Sequence, residues 1–140
     1  MKGQIQMNVT EKIKIGLKRE ERGVSDEAHS ARALGSGLLP VLGTPAMTAL
    51  MEQAAANALE EFLPEGWTSV GISLNIEHIS ATPLGMTFRA EAEVMEVDGR
   101  KILFNVRAYD EAGEIGHGVH TRFAVESEPF LAKAAKKVKK

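Results

Sequence analysis

A single long apolar helix, preceded by one strand and followed by four, is the pattern that most restricts the fold of this chain. The helix is predicted from Pro45 to Leu63, because apolar side chains recur there at helical spacing. Thr44 is expected to cap its N-terminus, and Pro45 suits its first turn. Pro64 and Gly66 end it. Its apolar stripe consists of Met47, Leu50, Met51, Ala54, Ala55, Ala58, Leu59 and Phe62.

Alternating apolar and polar residues predict the strands. Residues 9–17 form the first, and residues 19–32 are interpreted as an irregular connector. The strands after the helix are predicted at 69–76, 86–94, 102–108 and 115–125. Strands that follow one another in this way pair antiparallel, and the apolar helix must cover their apolar face. The expected fold is α+β, a curved antiparallel sheet of about five strands wrapped round one long central helix, which is the hotdog architecture.

Length and composition exclude several classes of function. The chain has 140 residues, which fits a single domain over residues 1–140, with a lysine-rich tail at 132–140 expected to be frayed or disordered. It contains no cysteine, which excludes disulfides, zinc ribbons and thiolate catalysis. A formal charge of −2 and an aromatic content of 5% argue against nucleic-acid and anionic-membrane partners.

Residues 33–51 carry no charge, between Arg32 and Glu52. The run is long enough for a membrane span, yet glycines, prolines and hydroxyl side chains interrupt it. Charges at Lys2 and Glu11 also interrupt any apolar signal segment near the N-terminus. We therefore expect a soluble, cytoplasmic protein in which this run forms one wall of a buried pocket.

Three polar residues occupy positions where the sequence pattern predicts either an apolar side chain or an ordinary surface residue. Glu52 lies on the flank of the helix stripe, eight residues after Thr44, and His78 continues the strand face expected to pack on the helix. Thr44 and Glu52 would be about 12 Å apart along the axis, so they could line two ends of one cleft. A neutral imidazole near a carboxylate can serve as a general base.

Each of these residues also has a purely structural interpretation. Thr44 alone is an ordinary helix cap, Glu52 alone a boundary carboxylate that reaches water, and His78 alone a half-buried histidine with a hydrogen-bond partner. His117 and His120 resemble a metal site in composition. Being three residues apart on a strand, they should point to opposite faces, so no metal is expected.

The ordered set of short motifs resembles the fluoroacetyl-CoA thioesterase-like branch of the hotdog thioesterases, over nearly the whole chain from Val9 to Phe130. The motifs are Gly35-Ser36-Gly37, Val41-Leu42-Gly43-Thr44-Pro45-Ala46-Met47, Leu50-Met51-Glu52, Ser69-Val70-Gly71, His78-Ile79-Ser80-Ala81-Thr82-Pro83-Leu84-Gly85, Glu96-Val97-Asp98-Gly99-Arg100 and the run from Gly113 to Arg122.

The resemblance implies an enzyme that hydrolyses a short or small acyl-CoA thioester to the free acid and CoA. It implies that Thr44, Glu52 and His78 are catalytic. It also implies that Gly71 lies near the thioester carbonyl and that Arg122 helps to form the substrate site. Leu38 is a third substrate-binding candidate, since the Leu38-Leu39-Pro40 loop stands where the namesake has an aromatic lid.

The expected partners are the acyl-CoA substrate and a second copy of the chain in a homodimer, with a tetramer left open. No cofactor is expected apart from the CoA carried by the substrate. The alternative is a non-catalytic hotdog dimer that binds an acyl-CoA or a small apolar acid. A hydratase of the same architecture is less favoured, because the predicted helix lacks the Asp and His which that branch uses.

Overall fold

A computed structural model describes residues 8–138 of the chain. Its sheet has five strands in the spatial order β1-β3-β4-β5-β2, every neighbouring pair being antiparallel. The strands are β1 Lys18–Val24, β2 Trp67–His78, β3 Thr87–Asp98, β4 Lys101–Asp110 and β5 Gly113–Glu126. The helices are α1 Ala31–Leu34, α2 Thr44–Glu60 and α3 Ser127–Ala135, with a 3₁₀ turn at Glu27–His29.

Helix α2 packs on the sheet and forms the core with it. Apolar residues that recur along α2 are fully buried, as are the inward residues of β3 and β4. The members of this core are Met47, Met51, Ala54, Ala55 and Leu59 from α2, with Ala90, Ala92, Val94, Ile102, Phe104, Val106 and Ala108 from the sheet. The predicted α+β architecture, an antiparallel sheet of five strands against one long helix, is confirmed.

The prediction of a first strand over residues 9–17 is wrong. The chain forms turns there instead. Its buried apolar residues Val9 and Ile13 are four residues apart, which is not the spacing of a strand. The first strand is instead β1, which except for Lys18 lies within the segment interpreted as an irregular connector, and six of its seven residues are polar or glycine. Backbone pairing with β3 holds this edge strand in place, so it needs no apolar face and leaves no alternating pattern to detect.

Two bulges change which side chains face the helix. In β2 the pairing with β5 shifts between Gly71 and Ser73, which leaves Ile72 as an extra residue that is 53% exposed. Leu74, Ile76 and His78 still lie on the predicted face beyond this point. The prediction that Val70 and Ile72 face the helix together with Leu74 and Ile76 is therefore wrong. Regular alternation does not allow for the inserted residue.

In β5 the shift in pairing lies between the partners of Ala108 and Tyr109. Ile115 is buried as predicted, but beyond the bulge Val119 and Phe123, also predicted to face the core, are exposed, and the buried side chains are His120, Arg122 and Ala124. The reversal follows from the bulge, since a one-residue shift moves every later side chain to the other face. A buried histidine and arginine thus lie under the helix.

The first four residues of the lysine-rich tail, 132–135, form the last turn of helix α3, which ends at Ala135. Lys139 and Lys140 lie outside the described residues. None of the helices within residues 8–138 is long and apolar enough to cross a membrane.

Candidate active site

The N-terminus of α2 meets the C-terminal end of β2 through Thr44 and His78. The Thr44 hydroxyl lies 2.7 Å from Nδ1 of His78. The N-cap position is occupied by Gly43, so the interpretation of Thr44 as a helix cap is wrong. The hydroxyl is instead directed to the imidazole, and we call these two residues the Thr44–His78 pair.

His78 is half-buried, and burial lowers the pKa of its imidazole, an effect that the backbone of Ser80 partly offsets. The ring is therefore neutral at neutral pH and can accept a proton. Its Nε2 is buried without a hydrogen-bond partner among residues 8–138. An unpaired buried polar atom of this kind is unusual in a folded protein.

A cleft of about 310 Å³ opens beside the Thr44–His78 pair. Residues of the uncharged run, Ser36, Val41 and Leu42, form part of its lining. The run thus forms a wall of this cleft, as the sequence predicts. Leu38 is 91% exposed and is not among the residues that line the cleft.

Glu52 lies in the middle of α2 and belongs to a different group of polar residues. Its Oε2 is 3.6 Å from Nη1 of Arg122 and 3.8 Å from Nε2 of His120. The Glu52 side chain is 45% exposed, whereas His120 and Arg122 are buried beneath it. An accessible carboxylate therefore rests on a buried cationic group.

Hydrogen bonds fix the buried side chains below Glu52. Arg122 donates from Nε to the Ser69 hydroxyl at 2.8 Å and from Nη2 to the Ser69 carbonyl at 3.0 Å. Nδ1 of His120 lies 2.8 Å from the carbonyl of Ser73, which must accept, so Nδ1 is assigned the proton. Nε2 of His120 then accepts from Nη1 of Arg122, 3.1 Å away. All polar ends of this network are partnered, so it is rigid.

The charges of these two buried residues follow from the same contacts. Burial, reinforced by the Arg122 charge, lowers the pKa of His120, while the Ser73 carbonyl and Glu52 oppose the change. Burial also lowers the pKa of Arg122, whereas Glu52 and Glu60 raise it. The imidazole is therefore neutral, and the guanidinium remains charged because the ordinary pKa of arginine lies far above neutral pH.

Gly71 lies directly against the Glu52 carboxylate. A Cβ atom at this position would be 2.6 Å from Glu52 Oε2 and 3.1 Å from Cε1 of His120. Only a residue without a side chain permits this approach. We call Glu52, Gly71, His120 and Arg122 the Glu52 cluster.

The structure thus divides the predicted site residues into two groups. Glu52, Gly71 and Arg122 lie together, and Thr44 contacts His78. Thr44 and Glu52 are eight residues apart on α2, about 12 Å along its axis. Glu52 is not among the residues that line the cleft beside Thr44.

Sequence reasoning missed His120 and Ser69 as site residues. The sequence pattern suggests His120 only as a metal ligand, although its spacing of two from Arg122 places both on one face of a strand. His117 lies on the other face, with Nδ1 2.9 Å from Glu114 and Nε2 3.7 Å from Glu77, as the spacing predicts. Within residues 8–138 there is no cluster of His, Asp and Glu side chains that could hold a metal ion.

Comparison with known proteins agrees with this architecture. The sequence model of the fluoroacetyl-CoA-specific thioesterase family matches residues 24–128. The fluoroacetyl-CoA thioesterase of Streptantibioticus cattleyicolor is 38% identical over 97 residues, which are 69% of this chain and 70% of that protein.

Solved structures give the same result. A variant of the fluoroacetyl-CoA thioesterase FlK in complex with acetyl-CoA superposes with a TM-score of 0.86 at 30% identity, over 91% of this chain and 100% of that one. A hot-dog-like protein from Thermanaerovibrio acidaminovorans has a TM-score of 0.86 at 22% identity, over 96% of this chain and 99% of that one. The second likeness shows the fold alone.

The sheet, the central helix and the polar residues between them define a hotdog-fold thioesterase, an enzyme that hydrolyses acyl-CoA thioesters. The predicted class of fold and of activity is confirmed. Within that class, the chain belongs to the fluoroacetyl-CoA-specific thioesterase family.

Proposed function

We propose that the chain hydrolyses CoA thioesters of acetyl-sized to short straight-chain acyl groups, with Glu52 as the residue that acts on the thioester carbonyl. The observation that carries this proposal is the position of the Glu52 carboxylate, 3.6 Å from the Arg122 guanidinium and against the bare backbone of Gly71. A carboxylate in such a place is oriented by the guanidinium and reachable from solvent. The loop at residues 38–40, which has no aromatic side chain, supports an unfluorinated acyl group as the usual substrate.

The proposed chemistry requires an oxygen nucleophile, a proton carrier and a group that binds the developing oxyanion. Glu52 either attacks the carbonyl carbon or orients a water that does so. The backbone at Gly71 faces the carbonyl oxygen, where a donor would stabilise its negative charge. Neutral His78, held by Thr44, accepts a proton from the water and delivers one to the departing CoA thiolate.

We propose further that a homodimer completes the site. β2, a strand of 12 residues, lies at an edge of the sheet. The backbone N–H and C=O groups on its open side have no partner strand among residues 8–138. Antiparallel pairing of two copies, centred on Asn75 and with Ile72 left out of the ladder as it is in the pairing with β5, would set Gly71 opposite His78 of the partner subunit. Residues opposite each other point to one face, so the Glu52 cluster of one copy would meet the partner's Thr44–His78 pair.

Spectrophotometric thiol release from a panel of acyl-CoA esters tests the activity, with Glu52→Gln as the inactive variant and Gln53→Glu as its matched control on exposed helix surface. Turnover should be fastest for acetyl-CoA to butyryl-CoA and should fall for long chains. Tight binding of every ester without turnover would instead support the non-catalytic dimer.

Mixing of two inactive variants tests the shared site. Glu52→Gln and His78→Ala subunits, when combined, contain one intact site in each mixed dimer, so activity should reappear. A mixture that is no more active than its components, in dimers shown by light scattering to exchange subunits, would place the whole site within one chain.

Single-turnover hydrolysis in labelled water distinguishes the two roles of Glu52. In the covalent route, attack of Glu52 on the thioester forms a mixed anhydride and releases CoA; if water then attacks the Glu52 carbonyl, the first turnover puts an oxygen of Glu52 into the acid and leaves labelled oxygen on Glu52. In the general-base route the label enters the acid directly. Label on Glu52, found by mass spectrometry of its peptide, would establish the covalent route, and no label would exclude an anhydride that water opens at the Glu52 carbonyl. Because CoA esters are intracellular metabolites and the chain has no cysteine, we propose that it acts in the cytoplasm.

A further inference from the structure

A groove of about 300 Å³ lies where β2 begins and β5 ends, away from both groups of proposed catalytic residues. It combines aromatic surface with two cations, since Trp67, Phe130, Arg100 and Lys133 are among its lining residues. The Arg100 guanidinium lies over the indole of Trp67, 4.6 Å from the ring centroid. Glu126 is the carboxylate in the lining, so positive charge is in excess.

The C-terminal helix brings the lysine-rich tail to this groove. Helix α3 contributes Phe130 and Lys133 to the lining, and the exposed Lys136 and Lys137 follow at its end. Residues 132–140 contain five lysines, none of which has a role in the proposed hydrolysis. A concentration of cations next to an exposed aromatic surface is suited to an anionic, planar ligand.

The groove is also at a suitable distance from the Glu52 cluster. Along the inner face of β2, Gly71 lies against Glu52, Ser69 bonds Arg122, and Trp67 lies under Arg100. Trp67 precedes Gly71 by four residues, about 13 Å at the rise of a β-strand. The extended pantetheine arm of CoA spans such a distance, from its sulfur to its diphosphate.

We propose that this groove binds the nucleotide end of CoA, with adenine stacked on the aromatic surface and the phosphates paired with Arg100 and Lys133. The proposal rests on the proposed function, since it takes the substrate as an acyl-CoA whose thioester is at Glu52. It assigns the charged C-terminal helix a role in substrate affinity. The hydrolysis of the thioester at the other end of the substrate does not depend on this groove.

Binding of free CoA tests the groove without any turnover. Trp67 is the only tryptophan of the chain, so its fluorescence reports directly on this place. Titration with CoA should change the emission saturably, whereas pantetheine, which has no nucleotide, should leave it unchanged. The proposal would be overturned if CoA inhibits hydrolysis, or is shown by calorimetry to bind, without altering the Trp67 emission.

Charge-removing variants give the second measurement. Arg100→Gln and Lys133→Gln should each raise the dissociation constant of CoA about 2- to 5-fold, as expected for exposed ion pairs, and together more. Lys14→Gln is the matched control, an exposed lysine that is not part of the groove lining. An unchanged dissociation constant in the double variant would refute the assignment.

Kinetics separate the nucleotide from the acyl group. In the double variant, KM for acetyl-CoA should rise about 10-fold, while kcat/KM for acetyl-pantetheine should stay within about 2-fold of its original value. An equal loss for both substrates would show that the cations act on the catalytic site and not on the nucleotide.

Titration with ADP distinguishes CoA from adenine nucleotides as a class. CoA should change the Trp67 emission at lower concentrations than ADP, because its pantetheine arm reaches the Glu52 cluster as well. If ADP changes the emission at the same concentrations as CoA, the groove recognises adenine nucleotides in general, and the assignment to CoA fails. If no acyl-CoA is hydrolysed, the proposed function fails, but the titration with free CoA still decides the occupant of the groove.

Discussion

Replacement of Gly71 by alanine tests the geometry of the proposed catalytic carboxylate with a single methyl group. The new Cβ would lie 2.6 Å from Glu52 Oε2, whereas ordinary contacts begin near 3.4 Å. One of the two groups must therefore move by about 0.8 Å. The strand is held by pairing on β5, but Glu52 is 45% exposed and flexible, so the carboxylate is the group that moves.

A displacement of this size should cost activity far more than stability. Misplacement of a reacting group by about 1 Å lowers rates about 100-fold, so kcat/KM for acetyl-CoA should fall to about a hundredth. The free energy of unfolding should fall by only about 1 kcal/mol, because the carboxylate can turn into water and buried His120, 3.1 Å from the new Cβ, must shift by only a few tenths of an ångström. The backbone at Gly71 is not in the left-handed region, so alanine introduces no conformational strain there.

The assay is thiol release at several acetyl-CoA concentrations, paired with urea denaturation of the same samples. Glu96→Ala, an exposed substitution on β3 and away from the β2 edge, is the control and should leave both quantities unchanged. Gly71→Ala with kcat/KM within about 3-fold of the original chain would refute the reasoning, because it would show that Glu52 need not lie against the strand.

Three other predictions concern the remaining polar residues. Thr44→Val removes the hydroxyl that contacts His78 and should lower kcat about 10- to 100-fold in steady-state assays, whereas Thr44→Ser should keep most of it. An active Thr44→Val together with an impaired Thr44→Ser would mean that the methyl group matters and not the hydroxyl. Arg122→Met leaves the hydroxyl and carbonyl of Ser69 and Nε2 of His120 without the donors they have now. Urea denaturation should therefore show a loss of about 2–4 kcal/mol in the free energy of unfolding. A loss below about 1 kcal/mol would contradict the rigid network. Burial lowers the pKa values of His78 and His120 from the ordinary 6.5, so the unfolded chain binds more protons than the folded one just below that pH. Stability should therefore be complete above about pH 6.5 and decline as the pH falls below it. His120→Gln should flatten this decline in urea titrations at a series of pH values, and an unchanged slope would assign the decline to other groups.

Much of the architecture could be predicted because local patterns match the period of each element. Helix α2 has its apolar stripe on one side, and β3 and β4 alternate cleanly because one face of each is buried. Strand β1 could not be predicted in this way. It is an edge strand of mostly charged residues, including Arg19 and Glu21, that is held by backbone pairing with β3. Such pairing is a long-range property and leaves no period in the local sequence.

The candidate site shows the same division. Thr44, Glu52 and His78 could be singled out from the sequence because each departs from the apolar pattern around it or matches a family motif. His120 could not, because its orientation depends on the bulge in β5, and a bulge is an extra residue that only the pairing of two strands defines.

By itself, then, the sequence determined the helix, four of the strands, the class of enzyme and the residue types of the site. The tertiary structure decided how those residues are grouped: Glu52 with Gly71, His120 and Arg122, and Thr44 with His78. The physical reason is that side-chain periodicity depends on residues a few positions apart. Register, bulges and the partners of a charged group depend instead on segments distant in sequence that pack together only in the folded chain.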